Sequence, residues 1–298
     1  MSAMHAARRR RIWCGYLLLA PSLALLALVV VWPVASSIWM SLTDRSLMDL
    51  TSGAFVGLRN FRTIFTDPEF RGAAWNTVWW TIANVLAQVL LGTALALLLH
   101  RRFPGAGVFR TLVVIPWVVP SVAAVLIWRY LYDPSVGLVN AVLMRLGWVS
   151  EPVVFLGNPH TALTAVIIES IWKGTPFVVI IMLAGLQVVA PEEREAAAVD
   201  GAGPWRVFRY IVLPHLRPSL ALATILTTVY TVNNFNAVWL MTGGGPVGST
   251  EILFTYGYRK AFVEWDFGQG AAVSVVLFTL LLGLGLLHQA LLDRGERP

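Results

Sequence analysis

The sequence EEREAAAVDGAGPWRVFRYIVLP, Glu192–Pro214, is a polar segment that lies between two apolar stretches. It carries too many charges to cross a bilayer, yet its residues favour helices. A compact helix-forming run, Glu195–Val199, follows a proline and two glutamates that are typical of a helix start. Gly201 and Gly203 then allow a turn. The segment therefore predicts two short helices joined by a turn at a membrane face, which suits docking against a protein partner.

The second short helix is predicted to begin at Pro204 and to end at Leu213 and Pro214. Its apolar residues recur three and four positions apart, so they share one helical face: Trp205, Phe208, Ile211 and Val212. The arginines fall on another face. An amphipathic surface loop with no partner is the alternative interpretation of this pattern.

The composition is that of a membrane protein. Hydrophobic residues make up 57% of the chain and charged residues 13%, whereas about a quarter of a soluble domain is charged. The mean hydropathy is +0.70. The net charge of +6 is dispersed among apolar stretches and forms no basic face for nucleic acid. The single cysteine, Cys14, excludes an internal disulfide and a cysteine-based metal site.

Six apolar segments are long enough to cross a bilayer. We predict spans at residues 12–42, 74–99, 111–132, 161–189, 219–241 and 270–292. The first run is longer than the apolar core of a signal peptide, so we expect it to be retained. As domains, we predict an N-terminal tail 1–11, a membrane domain 12–292 that includes the loop 190–217, and a C-terminal tail 293–298. The fold class is an all-α membrane protein.

The distribution of basic residues predicts the side of the membrane that each loop occupies. With the N-terminus inside, the inside segments contain 13 arginines, and the outside loops contain seven arginines and lysines. Cytoplasmic loops normally carry the excess of basic residues. Both termini and the segment Glu192–Pro214 are therefore predicted to be cytoplasmic.

Part of the polar segment follows the spacing of a known family motif: Glu195, Ala196, Ala197, Gly201, Ile211, Leu213 and Pro214. This pattern resembles the EAA motif of ABC importer permeases, in which the glycine and the I-x-L-P sequence follow E-A-A at fixed intervals. The resemblance implies the type I ABC importer permease fold, with six transmembrane helices. It also implies that residues 190–217 are a cytoplasmic helix-turn-helix coupling loop that contacts an ATPase through the motif residues and Asp200.

The sequence contains no G-x-x-x-x-G-K-[ST] motif, so it lacks the phosphate cradle of an ATPase of this type. It also has no catalytic motif and no clustered histidines, so we predict neither an enzyme nor a metal site. The chain is expected to bind no cofactor, and ATP and Mg would be used by the partner ATPase. The resemblance implies alternating access, in which closure of an ATPase dimer moves the coupling loops.

Polar groups inside apolar spans are costly, so they indicate functional candidates. In the fourth predicted span, Glu169 and Lys173 are four residues apart and can form a pair on one helical face. They either line a substrate pathway or meet water and headgroups near the outer end of the span. Asn84 and Gln88 in the second span are interpreted as packing contacts.

The fifth predicted span contains a cluster of amides and aromatic rings: Asn233, Asn234, Asn236, Tyr230 and Trp239. Amides hydrogen-bond hydroxyl groups and rings stack on the apolar faces of sugars. We therefore predict that this cluster lines a sugar pathway. The alternative is that the amides join one helix to another.

Three further segments resemble carbohydrate-type permeases, the group of maltose, trehalose and glycerol-3-phosphate importers: 110–140, 171–187 and 240–262. The resemblance implies a carbohydrate substrate, such as a di- or oligosaccharide or a glycerol-phosphate type solute. It implies a bacterial or archaeal inner-membrane subunit that pairs with a second homologous permease. A heterodimer is favoured over a homodimer. An ATPase dimer and an extracytoplasmic solute-binding protein complete the expected partners, together with the lipid bilayer.

Two other functional classes are alternatives for a chain with six apolar spans. An ion-driven secondary transporter would need no partner, but such proteins show repeats with helix breaks at matching places, which this sequence lacks. A membrane assembly protein with no transport pathway is the other alternative.

Overall fold

The computed structural model describes residues 16, 18–46, 48–49, 51, 53–101 and 103–295, with side chains described as far as residue 291. The predicted tail 1–11 and Cys14 lie outside these residues. Over the described ranges the regular structure is helical, apart from isolated β-bridges that pair Thr43 with Phe55 and Ser46 with Asp266. The predicted all-α class is confirmed.

The helices are named in chain order. The first half of the chain contains α1 (Leu18–Ser41), α2 (Arg59–Thr66), α3 (Pro68–His100), α4 (Ala106–Val118), α5 (Ser121–Leu131) and α6 (Leu138–Arg145). The second half contains α7 (Ala162–Leu186), α8 (Pro191–Val199), α9 (Pro204–Val207), α10 (Leu213–Val232), α11 (Phe235–Thr242), α12 (Leu253–Tyr258) and α13 (Phe267–Gly295).

Length and composition mark five membrane-spanning helices among the described residues, and six if the bent pair α4 and α5 is one span. The predicted third span, 111–132, is this pair, and it bends by 96°. The bend follows from sequence. Val119 precedes Pro120, and the residue before a proline is pushed out of the helical region; Val119 has ψ of 130°. Pro116 lies inside α4 without ending it.

The predicted end of the second coupling helix at Leu213 and Pro214 is wrong. The helix passes from α9 through a π-helical turn, Phe208–Val212, directly into α10. In this turn the Leu213 backbone N–H donates to the Phe208 carbonyl, five residues back. The wider turn shifts the hydrogen-bond register just before Pro214, which has no N–H to donate. The second helix of the coupling loop is therefore continuous with α10.

The fifth predicted span, 219–241, is interrupted after Val232. Asn233 and Asn234 leave the helical conformation, and the Asn234 side chain accepts a hydrogen bond from the Ala237 backbone N–H to begin α11. Asparagine side chains compete with backbone hydrogen bonds, which favours such a break.

The structure divides into two compact units. One unit consists of residues up to Thr66 and Gly257–Val276. In this unit the Asn60 amide donates to the carbonyls of Ser41, at 2.9 Å, and Thr43, at 2.7 Å. These bonds fix α2 against the end of α1. The Gly268 backbone N–H donates to the Arg45 carbonyl at 3.0 Å and attaches the start of α13 to the same segment.

The other unit consists of Asp67–Tyr256 and the residues from Leu277. Its helices α3 and α7 approach closely because Gly92 has no side chain: a Cβ there would lie 2.6 Å from Val178. Trp80 is fully buried, and its indole N–H donates to the Thr231 carbonyl at 2.9 Å, which joins α3 to α10. Two apolar clusters lie in this unit, one around Trp80 and Val166 and one around Met182 and Leu216. These contacts position the walls of the cavity described below.

Candidate functional site

The turn of the coupling loop is fixed by backbone hydrogen bonds at the end of α8. The Gly201 N–H donates to the Ala198 carbonyl at 3.1 Å, and the Ala202 N–H donates to the Ala197 carbonyl at 2.9 Å. This is the Schellman arrangement, which requires a left-handed residue after the helix. Gly201 has φ of +75°, a conformation that glycine adopts without a steric penalty. The glycine of the sequence motif therefore lies at the position where the turn requires a left-handed backbone conformation.

The surface of the coupling loop is exposed. No residue of α8 is buried, and the large apolar side chains of Val199 and Trp205 are 87% and 71% exposed. Among the motif residues, Glu195, Ala196, Asp200 and Gly201 are exposed, whereas Ala197, Ile211, Leu213 and Pro214 are half-buried. An exposed tryptophan and valine on a charged segment form a surface suited to a protein partner.

Polar side chains connect α8 to the ends of neighbouring helices. The Arg194 guanidinium lies 3.2 Å from Nε2 of His100, the last residue of α3. Because a guanidinium has no acceptor, Arg194 must be the donor in this contact. On the other side of the loop, Glu193 lies 3.6 Å from the His215 ring. A movement of α8 can therefore be transmitted to α3 and α10 through these side-chain contacts.

A cavity of about 340 Å³ lies among α3, α4, α5, α7 and α10. Four of the predicted pathway residues line it: Glu169, Lys173, Tyr230 and Asn234. The other three do not. Asn233 and Asn236 are exposed and Trp239 is half-buried, where its ring stacks on Phe235 with 5.4 Å between centroids. The break between α10 and α11 separates the amides, so the predicted cluster does not share one face.

The Lys173 ammonium donates to the Val119 carbonyl at 2.5 Å. Val119 lies at the bend between α4 and α5, where its carbonyl is directed away from the helix. Lys173 therefore attaches α7 to the bend that forms one wall of the cavity. Glu169, one turn earlier on α7, is 1% exposed.

The remaining polar wall is held by a chain of amides. The Gln88 amide donates to Asn84 Oδ1 at 3.1 Å and to the Ser170 carbonyl at 3.3 Å. Asn84 in turn donates to the Trp80 carbonyl at 2.9 Å. These bonds hold α3 against α7, and Gln88 also lines the cavity.

Several lining residues were not singled out from the sequence: Trp117, Phe177, Ser170, Thr227 and Thr231. The rings of Trp117 and Phe177 lie 6.2 Å apart and bring α4 and α7 together. Thr227 and Thr231 are four residues apart in an apolar helix, a polar stripe that the sequence did contain. The aromatic pair carried no comparable signal, because aromatic residues are common throughout the apolar spans.

The helices and these two sites define a class: a multi-span membrane protein with a cavity that contains polar side chains and with an exposed, charged loop. Residues 88–297 match the family described as binding-protein-dependent transport system inner membrane component. The chain belongs to this family. It is the permease subunit of a binding-protein-dependent ABC importer, as the coupling motif predicted, and family membership decides against the two alternative classes.

Two relatives with names that specify a transported sugar are similar over most of their length. The trehalose/maltose transport system permease protein MalF of Thermococcus litoralis is 36% identical over 274 residues, which cover 92% of each chain. The sulfoquinovosyl glycerol transport system permease protein SmoG of Agrobacterium fabrum is 38% identical over 264 residues, which cover 89% of this chain and 85% of the relative. Both names agree with the resemblance to carbohydrate-type permeases.

Among solved structures, a subunit of a bacterial ABC transporter involved in the import of the acidic polysaccharide alginate superimposes with a TM-score of 0.84. It is 22% identical, and the match covers 99% of this chain and all of that subunit. At this identity the match concerns the fold, and it confirms the predicted ABC importer permease fold.

Proposed function

We propose that this permease carries a carbohydrate, a di- or oligosaccharide or a glycerol-phosphate type solute, through the cavity between α3, α7 and α10. The observation that carries the proposal is the composition of the cavity wall. Amides and hydroxyls of Gln88, Ser170 and Asn234 face the same space as the rings of Trp117 and Tyr230. Hydrogen-bonding groups beside aromatic faces suit a sugar, and the volume lies in the usual range of ligand pockets. The sugar-transport names of the relatives support the same substrate class.

The coupling loop, residues 190–217, would receive the energy for transport from an ATPase dimer that binds ATP and Mg. Glu195 and Ala196 would contact the ATPase directly, and Asp200 and Gly201 would set the turn. The exposed apolar side chains beside these charges support this docking role. Because α9 continues into α10, movement of the docked loop would rotate a helix that lines the cavity. As a result, the cavity would open alternately to the two sides of the membrane.

The expected partners complete an importer. A second homologous permease would supply the other half of the pathway, as a heterodimer, and an extracytoplasmic solute-binding protein would deliver the sugar. The excess of arginines on one set of loops supports a cytoplasmic position for both termini and for the coupling loop. The same proposal includes an N-terminal tail that ends at residue 11 and a C-terminal tail that begins at residue 293, on either side of the membrane domain.

The test is purification of the tagged chain from native membranes in mild detergent, with mass spectrometry of the proteins that accompany it. We expect a second permease, an ATPase and a binding protein. Glu195→Ala should leave membrane insertion intact and lower uptake strongly. Glu151→Ala, at an exposed glutamate outside the loop, should leave both insertion and uptake unchanged. Recovery of the chain alone, with uptake by Glu195→Ala at the wild-type rate, would refute the coupling role.

A further inference from the structure

Two oxygen atoms in the cavity wall have no hydrogen-bond partner among the residues that the structure describes: Glu169 Oε2 and Thr227 Oγ1. Both residues line the cavity, and their side chains are almost fully buried, with Glu169 1% and Thr227 2% exposed. Buried polar atoms are nearly always paired, and an unpaired one is costly. The two oxygens lie on facing helices, α7 and α10. They therefore mark a place where a bound molecule would supply hydrogen-bond donors.

The lining of the cavity contains one acidic and one basic side chain. Glu169 and Lys173 are the two charged side chains of its lining, so their formal charges cancel. The Lys173 ammonium already donates to the Val119 carbonyl, which occupies one of its three donors. The carboxylate of Glu169 retains an oxygen without a partner. The hydrogen bond directs the Lys173 ammonium towards the bend at Val119, whereas Glu169 Oε2 is the charged acceptor of the lining that has no hydrogen-bond partner among the described residues.

We propose that Glu169 is a specificity-determining residue, and that it selects a neutral sugar by accepting hydrogen bonds from hydroxyl groups together with Thr227. A sugar that carries a carboxylate, phosphate or sulfate would bring a second negative charge against the buried Glu169. Repulsion is strong in such surroundings, and rejection of a wrong ligand by like charge is an effective source of specificity. This inference rests on the proposed function of the cavity, and it narrows the substrate to uncharged hydroxylated molecules.

A thiol placed on the cavity wall can report binding to the permease itself. Ser121→Cys, in a chain whose own cysteine is removed by Cys14→Ser, gives one thiol on the lining. The permease complex is purified without added binding protein, so that the selectivity of that partner does not intervene. The rate of maleimide alkylation is then measured with increasing trehalose, maltose or cellobiose, and with cellobiouronic acid as the acidic counterpart.

We expect a neutral disaccharide to slow alkylation and cellobiouronic acid to leave the rate unchanged. Glu169→Gln keeps the size of the side chain and removes its charge. It should raise the concentration of neutral sugar needed for protection by about tenfold, as for loss of a hydrogen bond to a charged group. The same substitution should also allow cellobiouronic acid to protect the thiol from alkylation. Glu151→Gln, the same change at an exposed site, should do neither.

Thr227→Val provides a second, uncharged test. It removes the unpaired hydroxyl while keeping the shape, so it should weaken protection by neutral sugar several-fold and leave the exclusion of the acidic sugar unchanged. If Glu169→Gln does not assemble, this variant and the wild-type comparison of sugars decide the question.

Equal protection by neutral and acidic sugars in the wild type would overturn the role of Glu169 alone. Unchanged discrimination in Glu169→Gln would do the same. Protection by none of these sugars would overturn the proposed function of the cavity together with this inference.

Discussion

The coupling loop and the cavity are formed in opposite ways. The coupling loop is a continuous stretch of sequence whose α8 has no buried residue, and its shape depends on local hydrogen bonds around Gly201. The cavity is assembled from residues up to 149 positions apart in sequence, from Gln88 to Ala237, and Glu169 and Thr227 in its wall are buried. The comparison teaches that the shape of the coupling loop depends on local backbone bonds around one glycine, whereas the shape of the cavity depends on contacts between helices that are distant in sequence. The cavity should be sensitive wherever helices touch.

The largest effect on transport is expected from Gly201→Val. A β-branched residue at φ of +75° is strained by roughly 1–2 kcal/mol or more, so the turn would adopt another shape and displace the motif residues. Uptake should fall below about a tenth of the wild-type rate, with membrane insertion unchanged, because no packing contact is lost. Gly203→Val is the matched control. Gly203 has φ of −69° and open space around it, so its uptake should stay near the wild type.

A large effect on stability is expected from Gly92→Ala in α3. The added methyl would lie 2.6 Å from Val178, so α3 and α7 would have to separate at a cost of about 1–3 kcal/mol. The measurement is heating of the purified complex, followed by size-exclusion chromatography to find the temperature at which it is lost. Gly72→Ala, in the same helix but with open space around it, should be neutral or stabilising by up to about 1 kcal/mol. Equal behaviour of the two variants would refute the close approach.

A moderate effect separates two adjacent asparagines that the sequence could not distinguish. Asn234 lines the cavity and caps α11, so Asn234→Ala should reduce uptake about fivefold, consistent with about 1 kcal/mol for loss of a cap. Asn233 is exposed and donates to the Val229 carbonyl of its own helix, at 2.9 Å. Asn233→Ala should change uptake by less than about twofold. The opposite order of the two effects would show that the pathway runs along the other face of α10.

The smallest effect is expected where the coupling loop contacts α3. His100→Ala removes the acceptor for Arg194, so the docked loop would transmit its movement less completely. We expect about threefold more ATP hydrolysed per sugar transported, since a half-exposed hydrogen bond contributes about 0.5–1 kcal/mol. Arg101→Ala, at the exposed neighbouring position, should leave this ratio unchanged. If His100→Ala leaves the number of ATP molecules hydrolysed per sugar unchanged, coupling passes only through the continuous helix formed by α9 and α10.

The site residues differ in how far the sequence could predict them. The turn at Gly201 could be predicted because a left-handed residue after a helix is a local requirement. The bend at Val119 was only partly predictable. The prolines indicated freed backbone groups, but the donor to the Val119 carbonyl is Lys173, which comes from a helix 54 positions later. The continuation of the coupling helix through Pro214 was missed because a π-helical turn has no sequence signature as clear as that of a proline.

The sequence by itself determined the membrane class, the approximate positions of the spans and the coupling motif, because these depend on hydrophobicity, charge and local backbone conformation. Only the tertiary structure decided which polar side chains share the cavity. It separated Asn234 from Asn233 and Asn236, and it brought Glu169 and Thr227 to facing walls. Helical periodicity fixes the face on which a residue lies. The neighbour of that face depends on where helices pack closely, and Gly92 opposite Val178 is one such place.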